Sequence, residues 1–425
     1  MIFFEKYVIM VQENKKISIY FIRFVIFHTD LTGGYTAMNS KWLKGIAAGL
    51  ALCVTIGLTG CGGTTEDSSP DSSNSGEIAE VVPVKVGYIF HKKAENGGFT
   101  EQMNLQRQKA ARRCEVETVY IEDVSVQDFE SAVKALVSAG CTEIVSCSST
   151  FTNALSSISG RYMNVKFINY GAASIGTANV FSYTETAYQG AYAAGIAAAY
   201  NSKTQKIGLV ADPELLYTYA TTNAAALGVR MVFANGKLCV AGATEDGEIK
   251  QAVDKLVSEG CDVIICYTES PYSAEYCEQQ GIKFIGSLDY SGREGDYKNM
   301  LMYFGAKRDS LFVSQFKQLK MDNWEPDVYK GAMSNGIIIV SEAQPCADKR
   351  TQDILDEIVP LLTSEKAYIF SGELKDTNGN VRYMQTDTMT EAQIYRMDWY
   401  VLGVEAVGNF RKPHESAPNA FEIKS

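Results

Sequence analysis

The chain has 425 residues and a formal net charge of −11, with 50 acidic against 39 basic side chains and only three histidines. That balance argues against a nucleic-acid partner, because phosphate contacts need a basic face. Only His91 and His414 lie beyond residue 60 and no Cys-x-x-C occurs, which leaves little for a zinc site or for a Ser-His-Asp or Cys-His catalytic device.

Residues 1–37 place a Phe- and Ile-rich stretch ahead of what already reads as a complete signal peptide. The expected start is therefore Met38, with the upstream part a mis-assigned extension. Lys41 and Lys44 make a positive n-region, Gly45 to Leu58 is uncharged and largely apolar, and Leu58-Thr59-Gly60-Cys61 closes the run. These are the marks of a secretory signal over 38–60, and the run is shorter than the roughly 20 apolar residues of a membrane helix. The tetrad resembles the lipobox of bacterial lipoproteins, which makes Cys61 the expected lipidated N-terminus. Residues 61–82 are rich in Gly, Ser, Thr, Asp and Glu, with no large apolar residue before Ile78. Such a segment cannot bury enough surface to order itself and reads as a flexible linker. Processing leaves 365 residues with 33 basic and 47 acidic groups, enough for two domains.

From Pro83 the pattern is an alternation of strands and helices. Val84 to Phe90 is a β-rich run, a helix follows from about Phe99 to Arg113, and strands near 116–121, 143–147 and 165–170 alternate with helices near 127–139 and 151–161. Such alternation predicts βαβ units and a parallel sheet covered on both faces. The pattern then repeats. Ala132 to Cys141 is echoed by Ala252 to Cys261, Lys85-Val86-Gly87 by Lys206-Ile207-Gly208, and Lys166-Phe167-Ile168 by Lys283-Phe284-Ile285, all offset by about 120 residues. The expectation is two similar α/β lobes with parallel, doubly wound sheets and a hinge, lobe 1 over 83–184 and lobe 2 over 185–300. Residues 301–425 return between the lobes and complete both, with a hairpin around Asn378-Gly379 and an amphipathic helix from Glu391 to Val407. Gly140 and Gly260 are natural residues for ending a helix, and the cysteine after each reads as a buried small hydrophobe. A cleft between two such lobes lies at the carboxyl ends of the strands, where open α/β sheets bind ligands.

The loop Glu95-Asn96-Gly97-Gly98-Phe99-Thr100, the segment from Asn179-Val180-Phe181-Ser182-Tyr183 to Tyr188-Gln189-Gly190-Ala191-Tyr192-Ala193-Ala194-Gly195, the tetrad Thr268-Glu269-Ser270-Pro271 and the loop Gly286 to Ser291 resemble the basic membrane protein family of ABC-transporter substrate-binding lipoproteins. That family binds purine nucleosides or nucleobases. Phe99 stands where the branch has tryptophan, and the resemblance covers about 84–342. It implies a type I periplasmic-binding-protein-like fold and a lipid-anchored, extracytoplasmic, monomeric receptor. A small purine ligand, ABC permease and ATPase subunits would be its partners, with no cofactor and no catalytic role.

A purine needs an aromatic face and a few fixed polar groups. Phe99 follows two glycines at a strand-to-helix turn and is expected at the cleft mouth, or else packs the helix on the sheet. Asn96 offers donor and acceptor atoms to a purine edge, or equally serves as a turn or cap residue. Tyr170 ends a strand and would form a second wall, or be a core tyrosine. Glu269 would accept from an amine, ring N–H or ribose hydroxyl, or complement a helix dipole. Asp289 offers the same chemistry, or holds a turn before Ser291-Gly292. The Gly-x-Gly signal of a dinucleotide site is missing after Ile89. Competing readings are a sugar or signal-molecule receptor, a sensor subunit, and an exported nucleoside hydrolase; the last would need a metal-holding aspartate cluster near a strand end, which the sequence does not show after 84–90.

Overall fold

The computed structural model describes residues 6–13, 16–23, 84–95, 97–171 and 175–407. Contacts divide the chain into one unit of Met1–Lys6 and Arg23–Val81 and a second of Tyr7–Ile22 and Val82–Ser425. Strands β1 (Lys6–Glu13) and β2 (Lys16–Arg23) pair as a two-stranded sheet. The signal segment, Cys61, the linker and Asn96 lie outside the described residues.

In the second unit, β3 (Lys85–Ile89), α1 (Phe99–Cys114), β4 (Glu117–Ile121), α2 (Phe129–Ser138), β5 (Glu143–Ser146), α3 (Thr152–Ile158), β6 (Lys166–Tyr170) and β7 (Val180–Glu185) build the first lobe. The chain then passes into α4 (Ala187–Asn201), β8 (Lys206–Ala211), α5 (Thr218–Val232), β9 (Lys237–Gly242), α6 (Asp246–Ser258), β10 (Val263–Tyr267), α7 (Tyr272–Gln279), β11 (Lys283–Gly286) and β12 (Met300–Ala306) of the second. Helix α8 (Asp309–Lys320) packs on α1, and β13 (Val328–Gly331) joins the first sheet. Strand β14 (Ile338–Val340) and helix α9 (Lys349–Thr363) belong to the second lobe, followed by β15 (Leu374–Lys375), β16 (Val381–Tyr383), α10 (Glu391–Tyr395) and β17 (Val404–Ala406).

The two sheets run β13-β7-β6-β5-β3-β4 and β14-β12-β11-β10-β8-β9-β17, with every pairing parallel except β12 with β14. Each contains the order second-first-third-fourth-fifth of a doubly wound fold, so each has a switch point beside its first strand. The sequence echo is structural down to the helix ends. Gly140 and Gly260 take φ of +85° and +90°, and the N–H groups of Cys141 and Cys261 donate to the carbonyls of Leu136 and Leu256. The left-handed backbone there is what glycine alone adopts without strain. All eight cysteines in the described residues are free thiols, seven of them buried.

Helix α4 is apolar on nearly every side and is enclosed accordingly. It meets α5 backbone to backbone, since a methyl group on Gly195 would overlap the Ala225 carbonyl oxygen and one on Gly228 the Tyr192 oxygen. The segment read as one helix from Glu391 to Val407 differs from that expectation. Only Glu391–Tyr395 is helical, because the Asn223 amide takes both the Trp399 carbonyl and the Val401 N–H, at 2.8 and 2.9 Å, and Val404–Ala406 adds a parallel strand to β9. The 374–383 region does form an antiparallel pair.

Three chain segments cross between the lobes, after β7, after β12 and after β13. They are bonded to one another: Thr186 N–H donates to Gly331 O and Lys307 N–H to Ile337 O, each at 2.8 Å. The Arg308 guanidinium of the second crossing grips both carboxylate oxygens of Glu185 in the first.

Candidate functional site

The carboxyl ends of both sheets face one cavity, with about 530 Å³ of empty space once its open mouth is included. Its walls come from strand ends: Tyr170 of β6, Glu185 of β7, Tyr267 of β10, Phe304 and Ala306 of β12. Loop and helix starts add Phe99, Gln102, Leu215, Thr268, Glu269, Ser287, Leu288 and Arg308. The location follows from topology, since parallel strands aim their carboxyl ends at the same crevice.

Phe99 opens α1, and its ring centroid lies 5.6 Å from that of Tyr170 and 4.6 Å from the Arg308 guanidinium carbon. One face of the ring is thus already covered by a cation, which is attracted to the aromatic quadrupole. Burial first, and the Glu185 carboxylate next, hold the Tyr170 phenol well above its ordinary pKa, so it remains a neutral donor. Burial opposes the charge of Arg308, but the two-point contact with Glu185 outweighs it and raises the guanidinium pKa. Among the described residues, the one basic side chain of the cavity wall is therefore already neutralised.

Direct contacts tie the lobes across the cavity. Phe99 N–H donates to the Glu269 carbonyl at 3.0 Å, and Lys92 Nζ lies 3.4 Å from Glu269 Oε2. On α1, the Gln102 amide brackets the peptide groups of Asp289, donating to its oxygen at 3.2 Å and accepting from its N–H at 3.0 Å. Gln106 does the same to Ala306 O and Arg308 N–H, both at 2.9 Å. These bonds describe a closed cleft.

Of the residues expected from sequence, Phe99, Tyr170 and Glu269 meet in this cavity. Asp289 does not line it: Oδ1 accepts from Ser291 N–H at 3.0 Å and Oδ2 lies 4.0 Å from Lys307 Nζ, the turn role weighed against ligand contact. Asn96 is outside the described residues. Sequence reasoning passed over Glu185, Arg308, Tyr267 and Gln102. Tyr267 and Glu185 end strands, as Tyr170 does, and that position is the signal that could have found them.

Asp212, immediately after β8, was also missed. It is fully buried, and Oδ1 accepts from Glu214 N–H at 2.9 Å. Burial, then the Glu269 carboxylate, push its carboxyl up to about 7, against the opposing pull of the Glu214 N–H and the Lys92 ammonium. A carboxyl raised above its unfolded pKa near ~4 contributes stability that is complete below that value and is lost as pH rises through about 7. Asp212→Asn keeps the Oδ1 acceptor and removes the charge. Its thermal midpoint should exceed the wild type's most at pH 8, by less at pH 5, and should match it only near pH 4 or below; a difference that does not change with pH would refute the assignment.

Comparison with known proteins adds four findings. A sequence model of the family described as Bmp, ABC transporter substrate-binding protein PnrA-like, matches residues 83–357. A purine-binding protein of Brucella abortus is 22% identical over 329 residues, 76% of this chain and 93% of that protein. A protein of Haloferax volcanii named for glucose binding in an ABC transporter is 23% identical over 351 residues, 82% of this chain and 86% of its own length. The solved structure of a solute-binding protein of an ABC transporter system from Aeropyrum pernix superposes with a TM-score of 0.59 at 14% identity, covering 69% of this chain and 93% of that one. That last likeness concerns the fold alone.

Proposed function

The chain belongs to the family of PnrA-like ABC transporter substrate-binding proteins, and from that premise we propose that it captures a purine nucleoside or nucleobase between its lobes for an ABC importer. Proteins of this family work outside the cytoplasm and pass a small molecule to permease and ATPase partners. In the proposal the chain is a monomer tethered by a lipid on Cys61, with 61–82 as the spacer.

The observation that carries the ligand reading is the composition of the wall. Four aromatic residues, Phe99, Tyr170, Tyr267 and Phe304, surround a carboxylate acceptor, Glu269, and the polar groups of Gln102, Thr268 and Ser287. Flat aromatic surfaces favour a flat ring, and each stacked base gains about 1–3 kcal/mol. Glu269 suits an exocyclic amine, a ring N–H or ribose hydroxyls. A phosphate is disfavoured, because Glu185 already occupies the Arg308 guanidinium. The Brucella relative supports the purine reading, and the Haloferax relative makes a sugar the alternative.

Calorimetric titration of residues 62–425 with nucleosides, nucleobases and sugars decides between them. Heat from at least one purine is expected; heat from sugars alone would overturn the ligand while leaving the family intact. Expressed from Met38, the protein should fractionate with membranes, and Cys61→Ser should release it. Release of neither form, or of both, would remove the anchor from the proposal.

A further inference from the structure

The family match ends at residue 357, yet the chain continues through a segment that docks on the second lobe. Within it Thr390 and Gln393 form a reciprocal cap that starts α10 and fixes Glu391 in its first turn. Glu391 Oε1 accepts from the Tyr217 hydroxyl and Oε2 from the Tyr188 hydroxyl, both at 2.9 Å. Lys330 Nζ stands 3.9 Å from Oε2. The rings of Tyr188, Tyr217, Phe370 and Tyr395 close around these bonds, with neighbouring centroids 5.3 to 5.7 Å apart. Burial and the carboxylate together raise both phenol pKa values, which keeps them donors.

Tyr217 is unusual in its backbone, with φ +60° and ψ +20°. A bulky residue holds this left-handed conformation only where its surroundings over-determine it. Its neighbours belong to the ligand cavity. Leu215 lines the cavity, and the Leu216 carbonyl accepts from the hydroxyl of Tyr267, another wall residue, at 2.9 Å. One carboxylate from outside the family match therefore reaches the cavity through a strained tyrosine and one carbonyl.

We propose that Glu391 is a positioning residue for the ligand cavity: by accepting from Tyr188 and Tyr217 it holds the turn between β8 and α5, and so sets the Leu215 and Tyr267 walls. The inference rests on that cavity being the ligand site. A purely structural role would tie down only the C-terminal segment and leave the cavity unchanged.

The test compares Glu391→Ala, Glu391→Gln and wild type in the mature protein by hydrogen exchange and by titration with adenine and adenosine, well below the unfolding midpoint. Losing the acceptor for two buried phenols should speed exchange at 214–218 and weaken ligand capture by about tenfold or more, with β5 amides unchanged. Glu391→Gln, which keeps one acceptor oxygen, should recover part of both. Faster exchange confined to 391–407, or unchanged exchange at 214–218, overturns the proposal. If Glu391→Ala does not fold, Tyr217→Phe, which removes one donor and keeps the ring, supplies the same comparison. Should wild type give no heat with adenine or adenosine, the exchange at 214–218 alone decides the role of Glu391, and the wider panel of purines and sugars decides the ligand.

Discussion

Replacing Arg308 by alanine should lower the stability of the protein by about 3–5 kcal/mol, the cost of stranding a buried charge without its partner. The argument is geometric. Arg308 and Glu185 side chains are 4% and 6% exposed, and the guanidinium meets both carboxylate oxygens, one at 2.6 Å. Removing the cation leaves Glu185 enclosed among Tyr170, Tyr267 and the crossing strands with no counter-charge. Glu185→Gln alone should also destabilise, because the cation is then the stranded partner. The double replacement Glu185→Gln with Arg308→Met should recover much of the loss, since breaking a buried pair costs more than replacing it with groups that pack. Urea unfolding of the four proteins measures the cycle. Equal and additive losses would show that the pair is not coupled.

Phe99→Ala should weaken purine binding by about tenfold to a hundredfold, and it should also loosen the closed cleft. The ring is 9% exposed and contacts both Tyr170 and the Arg308 guanidinium. Its removal forfeits stacking worth about 1–3 kcal/mol for a base. It also opens a void, and Phe-to-Ala changes in well-packed sites cost about 3–5 kcal/mol. Phe99→Trp separates these effects, for it keeps an aromatic face while changing the fit. Retained purine affinity in Phe99→Trp with loss in Phe99→Ala is the expected pattern by calorimetry. Unchanged affinity in Phe99→Ala, with the protein folded, would move the ligand away from this wall.

The alternation of elements and their duplication were legible in sequence because both depend on local signals. Apolar runs of strand length, helical spacing and a glycine after each helix are short-range features, and Ala132–Cys141 repeats them at Ala252–Cys261. Strand ends also mark the cleft, which is why Phe99, Tyr170 and Glu269 converge. What could not be read was pairing across long separations. Glu185 and Arg308 lie 123 residues apart, and nothing local distinguishes Arg308 from any surface arginine. Residues 396–407 carry apolar side chains at helical spacing, but Asn223 captures their backbone and Gly403 turns it at φ +102°. Tertiary context overrode propensity there. Asp289 shows the opposite limit: both its readings were visible in sequence, whereas its contacts with Ser291 and Lys307 appear only in the fold.

The three crossings have a kinetic and thermodynamic consequence. Each lobe is held near the other at a high effective concentration, so contacts too weak to join separate molecules act here as intramolecular ones. The Lys92–Glu269 pair and the two glutamine brackets on α1 use no ligand atom, so they populate the closed form by themselves. Apparent affinity equals intrinsic affinity multiplied by the fraction of molecules already competent to bind. Those contacts are therefore a dial: weakening them at Lys92 or Gln106, neither of which lines the cavity, lowers affinity and quickens release while the wall that meets the ligand stays as it is.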